Sequence, residues 1–174
     1  GRATIEARAE ATPRETLHAT DNAMAVYYGA LSNWPLHRTR SFLFPTGAGT
    51  LGFGLPAGIG AKVADPEAPV VVLQGDGGIM FTVAELATAA ELRLPLPIVG
   101  FDNGGYGEIR NEMADRDEPV HAVDLGGTDF VALARSVGCL GVAADEPADV
   151  AAAVVEALKA DRPTVIHVRE NARA

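Results

Sequence analysis

The sequence predicts an α/β fold: an open, mostly parallel sheet of about six strands with helices on both faces. Two observations carry this. Apolar runs alternate with segments of helical period along the whole chain, the pattern of repeated βα units. The clearest runs, Val70 to Gln74 and Leu96 to Phe101, are apolar almost without interruption, as expected of strands covered on both faces.

In order, Thr16 to Thr20 reads as a weak strand, Asn22 to Leu31 as a helix and Ser41 to Phe44 as a short strand. Leu55 to Ala64 is a helix packed closely through small residues. After the strand from Val70, a helix is expected over roughly Thr82 to Leu92. Tyr106 to Met113 begins another, and Ala114 to Thr128, with its charges, Pro119 and paired glycines, is a loop. Asp129 is suited to cap a helix Phe130 to Val137. Glu146 to Ala160 is amphipathic and rich in good helix formers, and Thr164 to Val168 is the last strand. The charged start, GRATIEARAEATPRE, is left unassigned.

The 174 residues suit one domain with a sizeable core. Apolar residues make up 48%, with 19 Gly and 11 Pro, which fits a globular chain with many turns. The formal net charge of -9, with no Lys/Arg cluster to offset it, argues against a nucleic-acid partner. Arg38, Arg40 and Lys62 read as solvated surface. No run is long and apolar enough for a transmembrane helix, and the start lacks a signal peptide's apolar core. The one cysteine, Cys139, is expected to be a buried thiol and fits a reducing cytoplasm.

Two turns carry the chemistry. Gly75-Asp76-Gly77-Gly78 ends one apolar run and Asp102-Asn103 the next. In a parallel sheet both lie at the carboxyl ends of adjacent strands, where open α/β folds bind ligands. Mg²⁺ takes oxygen ligands, with one or two carboxylates beside ligand phosphates and water. Asp76 offers a carboxylate, Asn103 an amide oxygen and Gly105 a main-chain carbonyl. Glycines around Asp76 let backbone N–H groups approach an anion.

This GDG, followed 27 positions after its Asp by an Asn at the end of a strand, resembles the signature of thiamine diphosphate enzymes of the acetolactate synthase and 2-oxo acid decarboxylase superfamily. The segment PTGAGTLGFGLPAGIG, from Pro45 to Gly60, is similar to the loop and helix that precede GDG in that family, and resemblance runs from about Thr20 to Val168. It implies that residues 1–174 are the C-terminal cofactor diphosphate-binding domain, in the thiamine diphosphate-binding fold. By the same resemblance Asp76, Asn103 and the Gly105 carbonyl are metal ligands for Mg. Leu51 is the residue over which the cofactor bends, and the Gly49 carbonyl accepts from its pyrimidine amine. Gly75, Gly77, Gly78, Asn22, Ala23 and Tyr106 border the cofactor, with Glu108 and Ile109 on the substrate side. The family usually has Asn-Asn where this chain has Asp102-Asn103, an extra carboxylate beside the metal turn.

The family's activating glutamate belongs to a separate pyrimidine-binding domain across a subunit interface, and the stretch before Thr20 is too short to hold it. The chain is therefore expected to carry half an active site, inactive alone, as a fragment or as one subunit of a split enzyme. The charged start favours a fragment. The implied intact protein is a homodimer or homotetramer acting on a small 2-oxo acid, either by carboligation after decarboxylation or by simple decarboxylation of the benzoylformate or guanidino-oxo acid type. Pyruvate-type decarboxylases have a glutamate where this chain has Ile109.

The sequence leaves other readings open. Gly47-Ala48-Gly49-Thr50-Leu51-Gly52 satisfies G-x-G-x-x-G, a dinucleotide fingerprint, but a short strand precedes it and Gly77, Gly78 and Asn103 are left unexplained. A non-catalytic cofactor-binding module is a further alternative. His18, His37, His121 and His167 lack metal-ligand spacing. His121 is read as exposed, Trp34 as packing and Glu85 as facing solvent or capping a turn.

Overall fold

The computed structural model describes residues 2–170. Six parallel strands form one sheet in the order β2-β1-β3-β4-β6-β5: β1 Leu17–Thr20, β2 Phe42–Leu43, β3 Val70–Gly75, β4 Pro97–Asp102, β5 Leu140–Ala143 and β6 Thr164–Arg169. Since β2 and β3 flank β1 on opposite sides, the chain reverses its direction of winding at β1. That is the switch point where a crevice opens beyond the strand ends.

Strand residues divide between two cores. Val70, Val72, Ile98 and Val165 face one, covered by α3 Gly54–Ala64, α5 Glu85–Glu91 and α7 Phe130–Ser136. Val71, Leu73, Val99 and Ile166 face the other. That second face is covered by α1 Arg2–Ala11, by a π turn Val26–Ala30 running into α2 Leu31–Asn33, and by α8 Pro147–Ala157. Glycines set the close approach of α3: a Cβ at Gly58 would strike Val72 Cγ2, and one at Gly54 would lie 2.8 Å from Gln74 Cγ.

Three readings of the sequence are corrected. The charged start forms α1, because Ile5, 1% exposed, reaches the second core and packs against Gly29. Helix formation after β3 begins at Asp76, not Thr82: α4 Asp76–Phe81 precedes a break and then α5. Lys62 is buried, its ammonium donating to the carbonyls of Pro66 at 2.7 Å and Ala68 at 2.8 Å; burial lowers its pKa. The edge strand β5 was also not foreseen.

Other expectations hold. The Asp129 carboxylate accepts from the Ala132 N–H at 2.9 Å and caps α7, Trp34 packs against His18, and His121 is exposed with Nδ1 near the Pro119 carbonyl. Cys139 is 4% exposed, and its thiol donates to the Leu86 carbonyl at 3.4 Å. Burial pushes that thiol up to about 11. Since the thiolate is the nucleophile, Cys139 should resist an aromatic disulfide reagent at pH 8 until denaturant is added; rapid labelling of the native chain would contradict this packing.

Candidate active site

Beyond the ends of β1, β3 and β4 lies one cleft, and it brings together residues from four parts of the sequence. Asn22 and Ala23 come from the turn after β1, Gly49 and Leu51 from the loop before α3, and Gly75, Asp76, Gly77 and Gly78 from the start of α4. Asn103, Gly105, Tyr106, Glu108 and Ile109 come from the turn after β4 and α6 Gly107–Asp115. Met24, Tyr27 and Glu170 also line it; no sequence motif singled them out.

The floor of the cleft is the first turn of α4. Gly75 is extended (φ -80°, ψ 162°), Asp76 starts the helix, and the cap position, a glycine, offers no side chain to the first turn. The absent side chains have steric causes. A Cβ on Gly77 would lie 2.7 Å from the Tyr106 ring, and one on Gly78 would collide with Asp21 Oδ2.

Asp21, which sequence reasoning missed, organises the loop that carries Gly49 and Leu51. It is fully buried. Its carboxylate accepts from the Gly52 N–H at 2.7 Å, the Phe53 N–H at 3.1 Å and Gln74 Nε2 at 3.3 Å. Its position directly after a strand was the available signal. Asn22 serves the same loop: its Nδ2 donates to the carbonyls of Thr50 at 3.0 Å and Pro45 at 3.3 Å, and its Oδ1 accepts from Tyr27 at 2.8 Å. The Asn22 side chain thus faces the cleft while engaged with protein groups. Thr82 completes the clasp by donating to the Gly52 carbonyl at 3.1 Å.

Opposite the loop, two oxygens are left without partners. Asp76 Oδ2 and Asn103 Oδ1 are both buried and make no hydrogen bond. Asn103 Nδ2 points to Met24 Sδ at 3.5 Å, which turns the amide oxygen the other way. Buried polar atoms of this kind ordinarily find a partner, and a hard cation satisfies a carboxylate and an amide oxygen together. Among the described residues no group of three His, Cys, Asp or Glu makes a metal cluster, which leaves this mixed set of one carboxylate, one amide and main chain. The residues fit Mg²⁺.

Electrostatics agree. Burial pushes the Asp76 carboxyl up to about 6, the Gly77 amide opposing this and neighbouring Asp102 adding to it. For Asp102, burial works upward, but hydrogen bonds from His167 and the Gly104 amide hold the carboxyl below its usual range.

Asp21→Ala strands two main-chain donors and Gln74, and should lower the unfolding free energy by about 3 kcal/mol, read from urea denaturation; a loss within error would remove Asp21 as organiser. A carboxyl raised on folding makes the native state favour its protonated form. Stability should therefore fall as pH rises from about 4 through about 6, by about 2–3 kcal/mol from this group. Without divalent cation, Asp76→Asn should abolish that part of the fall and be more stable than the parent at pH 7. Equal pH profiles would show that Asp76 carries no buried charge.

Residues 24–168 match the family described as thiamine pyrophosphate enzyme, C-terminal TPP binding domain. The chain is similar to the probable 2-ketoarginine decarboxylase of Pseudomonas aeruginosa, 43% identical over 139 residues that cover 79% of this chain and 24% of that protein. It is also similar to the acetolactate synthase isozyme 1 large subunit of Escherichia coli, 35% identical over 80% of this chain and 25% of that one. Among solved structures, a Rhodococcus jostii thiamine diphosphate-dependent 4-hydroxybenzoylformate decarboxylase superposes with a TM-score of 0.89 at 32% identity, covering 98% of this chain and 32% of that one. The chain spans about a quarter of the length of the curated relatives it matches. The dinucleotide reading of Gly47 to Gly52 gives way, since those glycines shape the loop that Asp21 holds and the match runs through it. The chain belongs to the family of C-terminal thiamine diphosphate-binding domains of thiamine diphosphate enzymes.

Proposed function

We propose that this domain works in an enzyme that decarboxylates a 2-oxo acid, with thiamine diphosphate anchored through Mg²⁺. The carrying observation is the pair of buried, unpartnered oxygens on Asp76 and Asn103 beside the uncapped first turn of α4. Asp76, Asn103 and the Gly105 carbonyl hold the metal. Gly77 and Gly78 offer N–H groups to the diphosphate, and Gly49 and Leu51 shape the cofactor from the clasped loop. When bound, the cofactor supplies the electron sink that decarboxylation needs.

The activating carboxylate comes from a pyrimidine-binding domain outside these residues, so the chain alone is inactive. Assembly as a homodimer or homotetramer is supported by the apolar side chains exposed around the cleft: Tyr28 at 64%, Phe81 at 61% and Ile109 at 46%. Among the described residues no helix is long and apolar enough to cross a membrane, and the lone buried thiol fits a reducing compartment. We place the enzyme in the cytoplasm.

Carboligation of the acetolactate synthase kind shares this first half-reaction. Glu108 favours the simple decarboxylase and a substrate with a cationic tail. One of its oxygens accepts from Tyr28 at 2.8 Å, the other is buried without a partner, and no basic side chain lines the cleft among the described residues. A guanidinium matches a carboxylate in paired, charge-assisted hydrogen bonds, and one of the relatives above is named for 2-ketoarginine.

Thermal unfolding tests the cofactor reading. Thiamine diphosphate and Mg²⁺ together, at about 100 times the dissociation constant, should stabilise the chain by about 2.7 kcal/mol. Neither alone should do so, and Asp76→Ala should lose the effect; stabilisation by NADH instead would restore the dinucleotide reading. In the intact enzyme, Glu108→Gln should cut the ratio of kcat/KM for a guanidino 2-oxo acid over a neutral 2-oxo acid by about tenfold or more. An unchanged ratio would exclude the cationic substrate.

A further inference from the structure

Asp102 and His167 are assigned no ligand or cofactor role in the site, yet they meet directly behind the turn that carries Asn103 and Gly105. Asp102 closes β4, one residue before Asn103. Its Oδ1 accepts the Gly104 N–H at 3.0 Å, and its Oδ2 lies 2.8 Å from Nε2 of His167. A carboxylate only accepts, so the imidazole Nε2 is the donor. His167 comes from β6, where its partner across the register is Gly100. It is 4% exposed, and its ring centroid is 5.3 Å from that of Phe130, so packing fixes its direction.

The consequence falls on the next two residues. Gly104 and Gly105 have φ of +82° and +141°, values that side chains disfavour. The outer side of this turn is tied down by Leu125 N–H to the Gly104 carbonyl at 3.0 Å, by Arg110 to the same oxygen at 3.2 Å and by Tyr106 N–H to the Val123 carbonyl at 2.8 Å. Its inner side is held by Asp102, the acceptor of the Gly104 N–H. The three outer bonds restrain the Gly104 carbonyl and the Tyr106 N–H and do not engage the Gly104 N–H, so without Asp102 the inner peptide loses its anchor.

We infer that His167 is a positioning residue for the metal turn. It fixes Asp102, and Asp102 fixes Gly104, so that the Asn103 amide oxygen and the Gly105 carbonyl are presented beside Asp76. Groups that orient metal ligands from behind commonly change metal affinity about 10–100-fold when removed. This inference rests on the metal reading proposed above, and its test separates the two.

The intact enzyme is compared with His167→Leu, which fills the space without a donor, His167→Gln, which keeps an N–H, and Asp102→Ala, which removes the acceptor from the turn itself. Two quantities are read. One is hydrogen–deuterium exchange by mass spectrometry of peptides spanning residues 103–107, without metal or cofactor. The other is the Mg²⁺ concentration that half-saturates thiamine diphosphate binding in calorimetry. His167→Leu and Asp102→Ala should speed exchange in the turn and raise the Mg²⁺ requirement about tenfold or more, and His167→Gln should return it to within about threefold of the parent. Unchanged exchange in both disruptive variants, or a Gln variant no better than Leu, overturns the positioning role. Failure of the parent enzyme to bind thiamine diphosphate with Mg²⁺ sinks the metal reading and this inference with it, whereas a parent that binds normally beside variants that do so equally well sinks the inference alone.

Discussion

A carboxylate with no contact with solvent stands at the centre of this domain. Asp21 is buried completely, and an ion in that position is tolerable only when its lone pairs are met by donors. The donors are main-chain N–H groups of Gly52 and Phe53 at the entrance to α3 and the amide of Gln74 at the end of β3. The positive end of α3 also faces the charge, which favours an anion at that point. One side chain thereby joins β1, β3 and the loop bearing Gly49 and Leu51, and it occupies the space that a side chain at position 78 would need. The GDG turn and the loop bearing Gly49 and Leu51, about 25 residues apart in sequence, are thus shaped by a residue that neither motif contains.

The sheet supplies the rest of the geometry. Because β3 and β4 pair in parallel with Gly75 opposite Phe101, Asp76 and the Asp102-Asn103 pair that follow lie at one end of the sheet, Asp102 as the last residue of β4. A slip of one residue would exchange the side chains that face the two cores and break fitted contacts such as that of Val72 with Gly58, where there is no room for a Cβ. The packing that stabilises the sheet therefore also sets the level at which Asp76 and Asn103 emerge.

What was legible in the sequence tracks how local each cause is. Central strands are apolar because they are buried on both faces, so β3, β4 and β6 could be read from composition alone. The strand β5 lies at the edge, with Leu140 at 41% and Val142 at 40% exposure and Gly141 between them. Such a segment lacks the continuous apolar signal. Helix α1 depends on its packing against α8 and the π turn, a non-local cause that its charged sequence conceals. Two glycines argue against a helix at Asp76 on propensity, yet close packing with Tyr106 and Asp21 requires them there. Lys62 misled for a related reason: its charge suggests water, while the Pro66 and Ala68 carbonyls that receive it are placed by the fold. Asp76, Gly77, Gly78, Asn103 and Gly105, which line the cleft, were legible because their chemistry is concentrated in two short turns. Their supports, Asp21 and His167, are single residues whose meaning appears only when distant strands come together.

The charge on the cleft constrains how a diphosphate can be held. Asp76, Glu108 and Glu170 line it and no Lys, Arg or His does so among the described residues, on a chain that is already acidic overall. The first turn of α4 presents partial positive charge, equivalent to about half an elementary charge at most for a full helix. That is too little to overcome the repulsion between a diphosphate and three carboxylates at short range. A divalent cation between Asp76 and the phosphate oxygens reverses the sign of the interaction locally. On the proposed reading, cofactor and cation are therefore obligate partners in this cleft: each lacks sufficient reason to bind without the other, and the domain's own structure carries the acceptors for the metal and leaves the positive charge to be brought in by it.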